Sequence, residues 1–108
     1  MVRYACPYLN GEVELSEERR THIAERHPDL LPEFAEELGF TLNDPDQVRR
    51  SGRFANALLF ARWFDSVLTG KYVVVVVVGD RDPVRRHWIV TAYISRRLSG
   101  GEIEWMRT

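Results

Sequence analysis

The stretch Lys71-Tyr72-Val73-Val74-Val75-Val76-Val77-Val78 decides how the rest of the chain can fold. Along a β-strand successive side chains point to opposite faces, so Val73, Val75 and Val77 face one way and Val74, Val76 and Val78 the other. A run that is apolar at every position must be covered on both sides, which makes it the central strand of a sheet. Burying six valines contributes on the order of 10 kcal/mol before chain entropy is subtracted. The segment is far too short to span a bilayer.

Working outward from it, Thr69-Gly70 turns the chain into the valine run, and Ala55 to Phe64 reads as a strand before that turn. "VRRSGRF", from Val48, adds a short edge strand. After the valines, Gly79 to Arg86, with Asp82-Pro83, turns the chain into a last long strand, His87 to Arg97. Ser99-Gly100-Gly101 then precedes "EIEWM", which fits a final edge strand. At the other end, Asn10-Gly11 between short β-prone segments signals a hairpin. Ser16 can cap a helix whose first turn carries Glu17 and Glu18, and Pro28 stops that helix near His27. A second helix, roughly Pro32 to Gly39, sets Leu31, Phe34, Ala35 and Leu38 on one apolar face, and Asn43-Asp44-Pro45-Asp46 is turn chemistry. The expected fold is α+β: two N-terminal helices packed on a twisted antiparallel sheet of about four strands, preceded by a short hairpin. Residues 1–108 form one domain, with the hairpin in 1–15, the helices in 16–42 and the sheet in 47–106.

A chain of 108 residues and 12.6 kDa has material for one core. Its 44% hydrophobic and 29% charged residues and mean hydropathy of -0.31 describe an ordinary soluble domain. "MVRYACPYLNGEVELSEERR" has no basic region leading into an apolar one, so a cytoplasmic location is expected, with no membrane partner. The single Cys6 has no intrachain partner for a disulfide and reads as a small packed hydrophobe. The net charge of -1 hides an asymmetry. Residues 1–48 carry four arginines against eleven acids, a balance of -7, whereas residues 49–108 carry ten arginines and Lys71 against five acids, a balance of +6. The second half is where an anion would be met. A fully apolar central strand in so small a chain also raises a homodimer, since one monomer has little material to cover both faces.

Chemistry can be sought in two places. In the last long strand, alternation puts Trp88, Val90, Ala92 and Ile94 on one face, and His87, Ile89, Thr91, Tyr93, Ser95 and Arg97 on the other. Thr91, Tyr93 and Ser95 then project together, able to donate to phosphate oxygens or, at Tyr93, to stack on a base, unless they are simply a solvated strand face. In "HIAERHP", His22 and Arg26 are four apart on a helix, with Arg19 one turn earlier. An imidazole beside guanidiniums suits a general base with cations holding a phosphate. His27 lies about 140° around the helix from His22, so the two do not close on one metal, and His27 equally suits a helix C-cap. His87, beside Arg85 and Arg86, reads as solvated. No phosphate-binding glycine loop, Gly-x-Ser-x-Gly elbow, Cys-x-x-Cys pair or EF-hand pattern occurs.

The order "LSEERRTHIAERHPDL", "TLNDPDQVRRS", "KYVVVVV" and "WIVTAYIS" resembles the phage and bacterial BECR-fold domains, the group of barnase, EndoU, colicin and RelE nucleases, over roughly residues 13–98. The resemblance implies two helices packed on an antiparallel sheet and metal-independent cleavage of RNA by attack of the 2'-hydroxyl on its own phosphate, with no cofactor. Carried onto matching positions, it makes His22 or His27 base or acid, Arg26 and Lys71 phosphate stabilisers, and Ser51, Thr91 and Tyr93 orienting groups. The implied partners are RNA and an antitoxin or immunity protein. The alternative is a catalytically silent relative that binds RNA or a protein. A third reading, a small-molecule binder, would line its pocket with Trp63, Trp88 or Trp105. A sequence pI near 6.3 and an acidic first half bring a polyanion to the chain only if the fold segregates the charges.

Overall fold

A computed structural model describes residues 1–53, 56–80 and 85–108. The elements follow the chain as β1 (Val2–Cys6), a 3-10 turn (Pro7–Leu9), β2 (Gly11–Leu15), α1 (Glu17–Arg26), α2 (Ala35–Asn43), β3 (Gln47–Arg50), β4 (Leu58–Phe64), β5 (Lys71–Asp80), β6 (Arg86–Ser95) and β7 (Glu102–Met106). The seven strands among the described residues join one sheet in the order β1-β2-β6-β5-β4-β3-β7. The expectation of about four antiparallel strands is therefore corrected, though helices on a sheet of the α+β class hold. The hairpin does not stand apart from the sheet: β2 pairs with β6, and in parallel, through Glu14 and Trp88. Nor is β3 an edge strand, because β7 crosses the molecule to pair with its outer side. Local turn signals show where strands begin and end, but these two long-range pairings carry no local signature.

The valine strand is β5, fourth of seven, flanked by β4 and β6. Val73, Val75 and Val77 face the helices and are buried with Ile23, Leu30, Leu38, Leu42, Phe60 and Ile89. On the far face, Val74 is buried under the strap of residues 96–101 that carries the chain from β6 to β7. Arg97, Leu98 and Ser99 of that strap face Leu59, Ala61, Val74 and Tyr93 around a gap of about 50 Å³. Arg49 Nε donates to the Gly100 carbonyl at 3.0 Å and ties the strap to β3. Val76 and Val78 beyond it are half-buried, so the chain's own C-terminal segment covers only part of that face.

The helices obey their local signals with one exception. Ser16 Oγ accepts from the Arg19 backbone N–H at 3.1 Å, and His27 closes α1 by donating its backbone N–H to Ile23. Ten residues at about 1.5 Å rise carry α1 roughly 15 Å, the length of four to five strand residues. Because β2 enters α1 beside Trp88 and runs parallel to β6, this length brings the end of α1 level with Tyr93. The second helix starts later than the pattern predicts, at Ala35, and runs through Gly39 to Asn43. Gly39 does not end it; a Cβ there would sit 3.1 Å from the Tyr4 ring, so the glycine lets α2 lie close on β1.

Candidate catalytic cleft

Two strands break the alternation on which side-chain direction was read, and both breaks deliver residues to one place. In β6 the register slips between Val76, opposite Thr91, and Val77, opposite Ile89, leaving Val90 as the extra residue of a β-bulge. Below the bulge the parity is reversed. Ile89 joins the buried helix-side core, and His87, opposite Gly79, turns to the helix side instead of the far face. In β7 the partners of Val48 and Arg49 are Trp105 and Ile103, so Glu104 is the extra residue there. Glu104 and Trp105 both reach toward Tyr8: Glu104 borders the same cleft, and the Trp105 ring lies 6.1 Å from the Tyr8 ring.

The cleft has a volume of about 260 Å³ at the end of the sheet where β5 and β6 meet. Tyr8, Arg50, Asn56, Arg85, His87 and Glu104 supply its functional groups, with Leu58, Val77 and Gly79 forming its floor and Asp80 also lining it. Tyr8 is set by packing edge-on against buried Phe60, ring centres 5.8 Å apart. Burial pushes its phenol pKa up, the Glu104 charge adds to this and Arg50 opposes it, so Tyr8 keeps its proton at neutral pH. Arg85 Nη2 donates to the Leu9 carbonyl at 3.0 Å, while its Nε points at His87 Nε2 from 3.4 Å. In that contact Nε2 turns its lone pair toward the guanidinium. Arg50 Nη2 meets Glu104 Oε1 at 2.9 Å. Gly79 is required beneath His87, since a Cβ at that position would overlap the ring, with Cε1 only 2.8 Å away.

The residues singled out from sequence are distributed differently. His27 and Tyr93 do meet, with ring centres 6.1 Å apart and planes at 40°. Tyr93 shares the far face with half-buried Thr91, and burial raises its phenol pKa. Ser95 Oγ donates to the Arg97 carbonyl within the strap. His22 lies in a shallow groove along α1 with Glu17, Glu18, Arg19, Thr21 and Glu25, so within that groove the acids outnumber Arg19. Arg26, in the last turn of α1, is exposed. Lys71 Nζ donates to the Leu68 and Gly70 carbonyls at 3.0 and 3.2 Å, closing the β4–β5 turn. Ser51 follows Arg50 at the cleft's rim, where its Oγ accepts from the Arg53 backbone N–H. The anticipated turn at Asp82-Pro83 lies outside the described residues.

Sequence reasoning passed over Tyr8, Arg50, Asn56, Arg85 and Glu104 and read His87 as solvated. The available signals were the Arg85-Arg86-His87 cluster and Gly79 at the end of an otherwise β-branched strand, where a glycine marks a close approach. Among the described residues, no three His, Cys, Asp or Glu side chains gather closely enough to hold a metal ion. No helix among them is long and apolar enough to cross a membrane. Comparison with family models, with curated proteins and with solved structures finds no match, so the cleft stands on its own geometry.

Proposed function

We propose that the protein is a metal-independent endoribonuclease, of the toxin-like or phage-related kind its BECR resemblance implies, working in the cleft at the end of β5 and β6. The observation that carries the reading is the pair of β-bulges, which aim His87 from β6 and Glu104 from β7 into one cavity with two guanidiniums and a phenol. Bulges that re-aim side chains are over-represented next to active sites, as they are at sheet edges. Cleavage of an RNA phosphodiester by its own 2'-hydroxyl needs a base, an acid and positive charge near the phosphate. His87 serves as the base through its Nε2 lone pair, which the long 3.4 Å contact with Arg85 gives up as Arg85 turns to the phosphate. It takes the 2'-hydroxyl proton as that oxygen bonds to phosphorus, and the bond from phosphorus to the 5'-oxygen breaks. Tyr8 donates the proton that the departing 5'-oxygen takes up, which an un-ionised phenol can do because an alkoxide is far more basic. Arg50 and Arg85 balance the charge on the phosphate oxygens, and Asn56 is available to orient the ribose. The products are a 2',3'-cyclic phosphate and a 5'-hydroxyl.

Labelled RNA incubated with the protein in EDTA tests this. His87→Ala should lower cleavage by about 10² to 10⁴-fold, Tyr8→Phe should also lower it, and His27→Ala should leave it near wild type. Loss in His27→Ala alone would move the chemistry to the His27–Tyr93 pair and remove the cleft from the mechanism. One observation favours a catalytically silent module that binds RNA or an antitoxin-like protein: Asp80 and Glu104 offset the two guanidiniums of the cleft. RNA retarded but left intact by the wild type would select that alternative.

A further inference from the structure

We infer that Trp105 is a stacking platform for an unpaired base, and that the protein therefore takes single-stranded rather than duplex RNA. The inference rests on the cleft being the nucleic-acid site. Three aromatic rings lead outward from the core at its edge. Phe60 is fully buried, Tyr8 packs edge-on to it, and Trp105 lies beyond Tyr8 with its plane tilted by 59°. A tilted neighbour does not cover the indole face, and Trp105 is 38% exposed on a strand whose other residues are exposed too. The indole stands on the outermost strand, where Ile103 and Met106 are exposed as well. Its position is set by the β7 bulge, which turns Glu104 and Trp105 together toward Tyr8.

The small cleft suits the backbone of a nucleotide better than its base. About 260 Å³ is below the range of roughly 300–1000 Å³ for ordinary ligand pockets. A phosphate and its ribose fill it, and the attached base must lie outside. Trp105, which packs on Tyr8 of the cleft, is an aromatic surface beside it among the described residues, and a base can turn onto it only if it is not stacked and paired within a helix. Stacking on an aromatic face is tolerant of base identity, so it selects strandedness rather than sequence.

The probe is a short oligonucleotide with 2'-O-methyl riboses, single-stranded or annealed to its complement, which binds but cannot be cleaved by 2'-hydroxyl attack. By fluorescence anisotropy, Trp105→Ala should weaken single-strand binding about tenfold, Trp105→Phe should restore most of it, and the exposed Trp63→Ala control should change nothing. In a Trp63→Phe, Trp88→Phe protein, Trp105 emission should be quenched by the single strand and not by the duplex, which reports on the ring without removing it. Equal binding by wild type and Trp105→Ala, equal quenching by duplex, or no binding of the single strand overturns the inference. Because the probe is inert, intact stacking with no cleavage of ordinary RNA would remove the nuclease reading alone.

Discussion

Gly79→Ala separates the position of His87 from the stability of the fold. The new methyl would overlap the imidazole, with Cε1 at 2.8 Å and the Arg86 carbonyl oxygen at 3.1 Å, against ordinary contacts of 3.4–4 Å. The peptide carbonyl belongs to a strand and yields little, so the ring must swing by about 1 Å or leave its rotamer, at roughly 0.5–1.5 kcal/mol. Gly79 does not have a positive φ, and alanine restricts the unfolded chain, which returns about 0.4–1 kcal/mol. The two effects nearly cancel, so denaturant midpoints should agree within about 1 kcal/mol. Function should not survive as well, since a displacement of about 1 Å costs on the order of 10²-fold in a positioned catalytic group. The assay pairs RNA cleavage in EDTA with urea denaturation of the same preparation. Wild-type cleavage by a stably folded Gly79→Ala protein would refute the reasoning, because His87 could then not be the base where it stands.

The central strand and the termini give further tests. Val75→Ala removes two carbons from a fully buried site between Phe60 and Ala92 and should cost about 2–3 kcal/mol, lowering Tm by roughly 10–20 °C, while half-buried Val78→Ala should cost clearly less. Asp44 accepts from Arg62 and Arg107, and the Arg107 hydrogen bond, aided by both charges and the Arg62 hydrogen bond, holds its carboxyl below the ordinary 3.8. Its folded pKa is depressed, so its contribution is present above pH 3.8 and lost as pH falls through the folded value; Asp44→Asn should therefore differ from wild type in urea at neutral pH and converge with it in acid. Glu104→Gln should tighten binding of single-stranded RNA and steepen its salt dependence by removing a competitor for Arg50, a change that filter binding at several salt concentrations detects.

What the sequence makes legible is whatever depends on local pattern. The valine run marks the central strand because its apolar side chains point to both faces and call for cover on each, although Val76 and Val78 stay half-buried. Asn10-Gly11, Ser16 and Pro28 mark boundaries because each acts on its own backbone. The side-chain directions in β6 were read from strict period two, and the bulge at Val90 inverted them for His87, Trp88 and Ile89. Thr91, Tyr93 and Ser95 lie beyond the slip, which is why they share a face as expected. A bulge is settled by the strand opposite, so one strand's sequence does not show it. The cleft was illegible for the same reason: Tyr8, Arg50, His87 and Glu104 come from four separate elements, brought together by a parallel pairing and a strap that leave no local mark.

The proposed function asks a chain of net charge -1 to receive RNA, and the distribution of charge bears on how it would. Part of the basic second half is engaged within the molecule, since Arg86 is held by Glu14, Arg62 and Arg107 by Asp44, and Arg50 by Glu104. These pairs lower the positive field that could steer an anion, which leaves more of the affinity to contacts inside the cleft. There the Arg50–Glu104 pair is a surface ion pair with side chains 50% and 33% exposed, the kind worth only about 0–1 kcal/mol. A phosphodiester offers the same guanidinium two oxygens in the planar geometry that a carboxylate also offers. The exposed pair opens easily, so on the proposed reading a phosphate would compete with Glu104 for Arg50 at little cost. A cleft neutral in formal count can in this way bind an anion, provided the anion arrives in a form narrow enough to enter it.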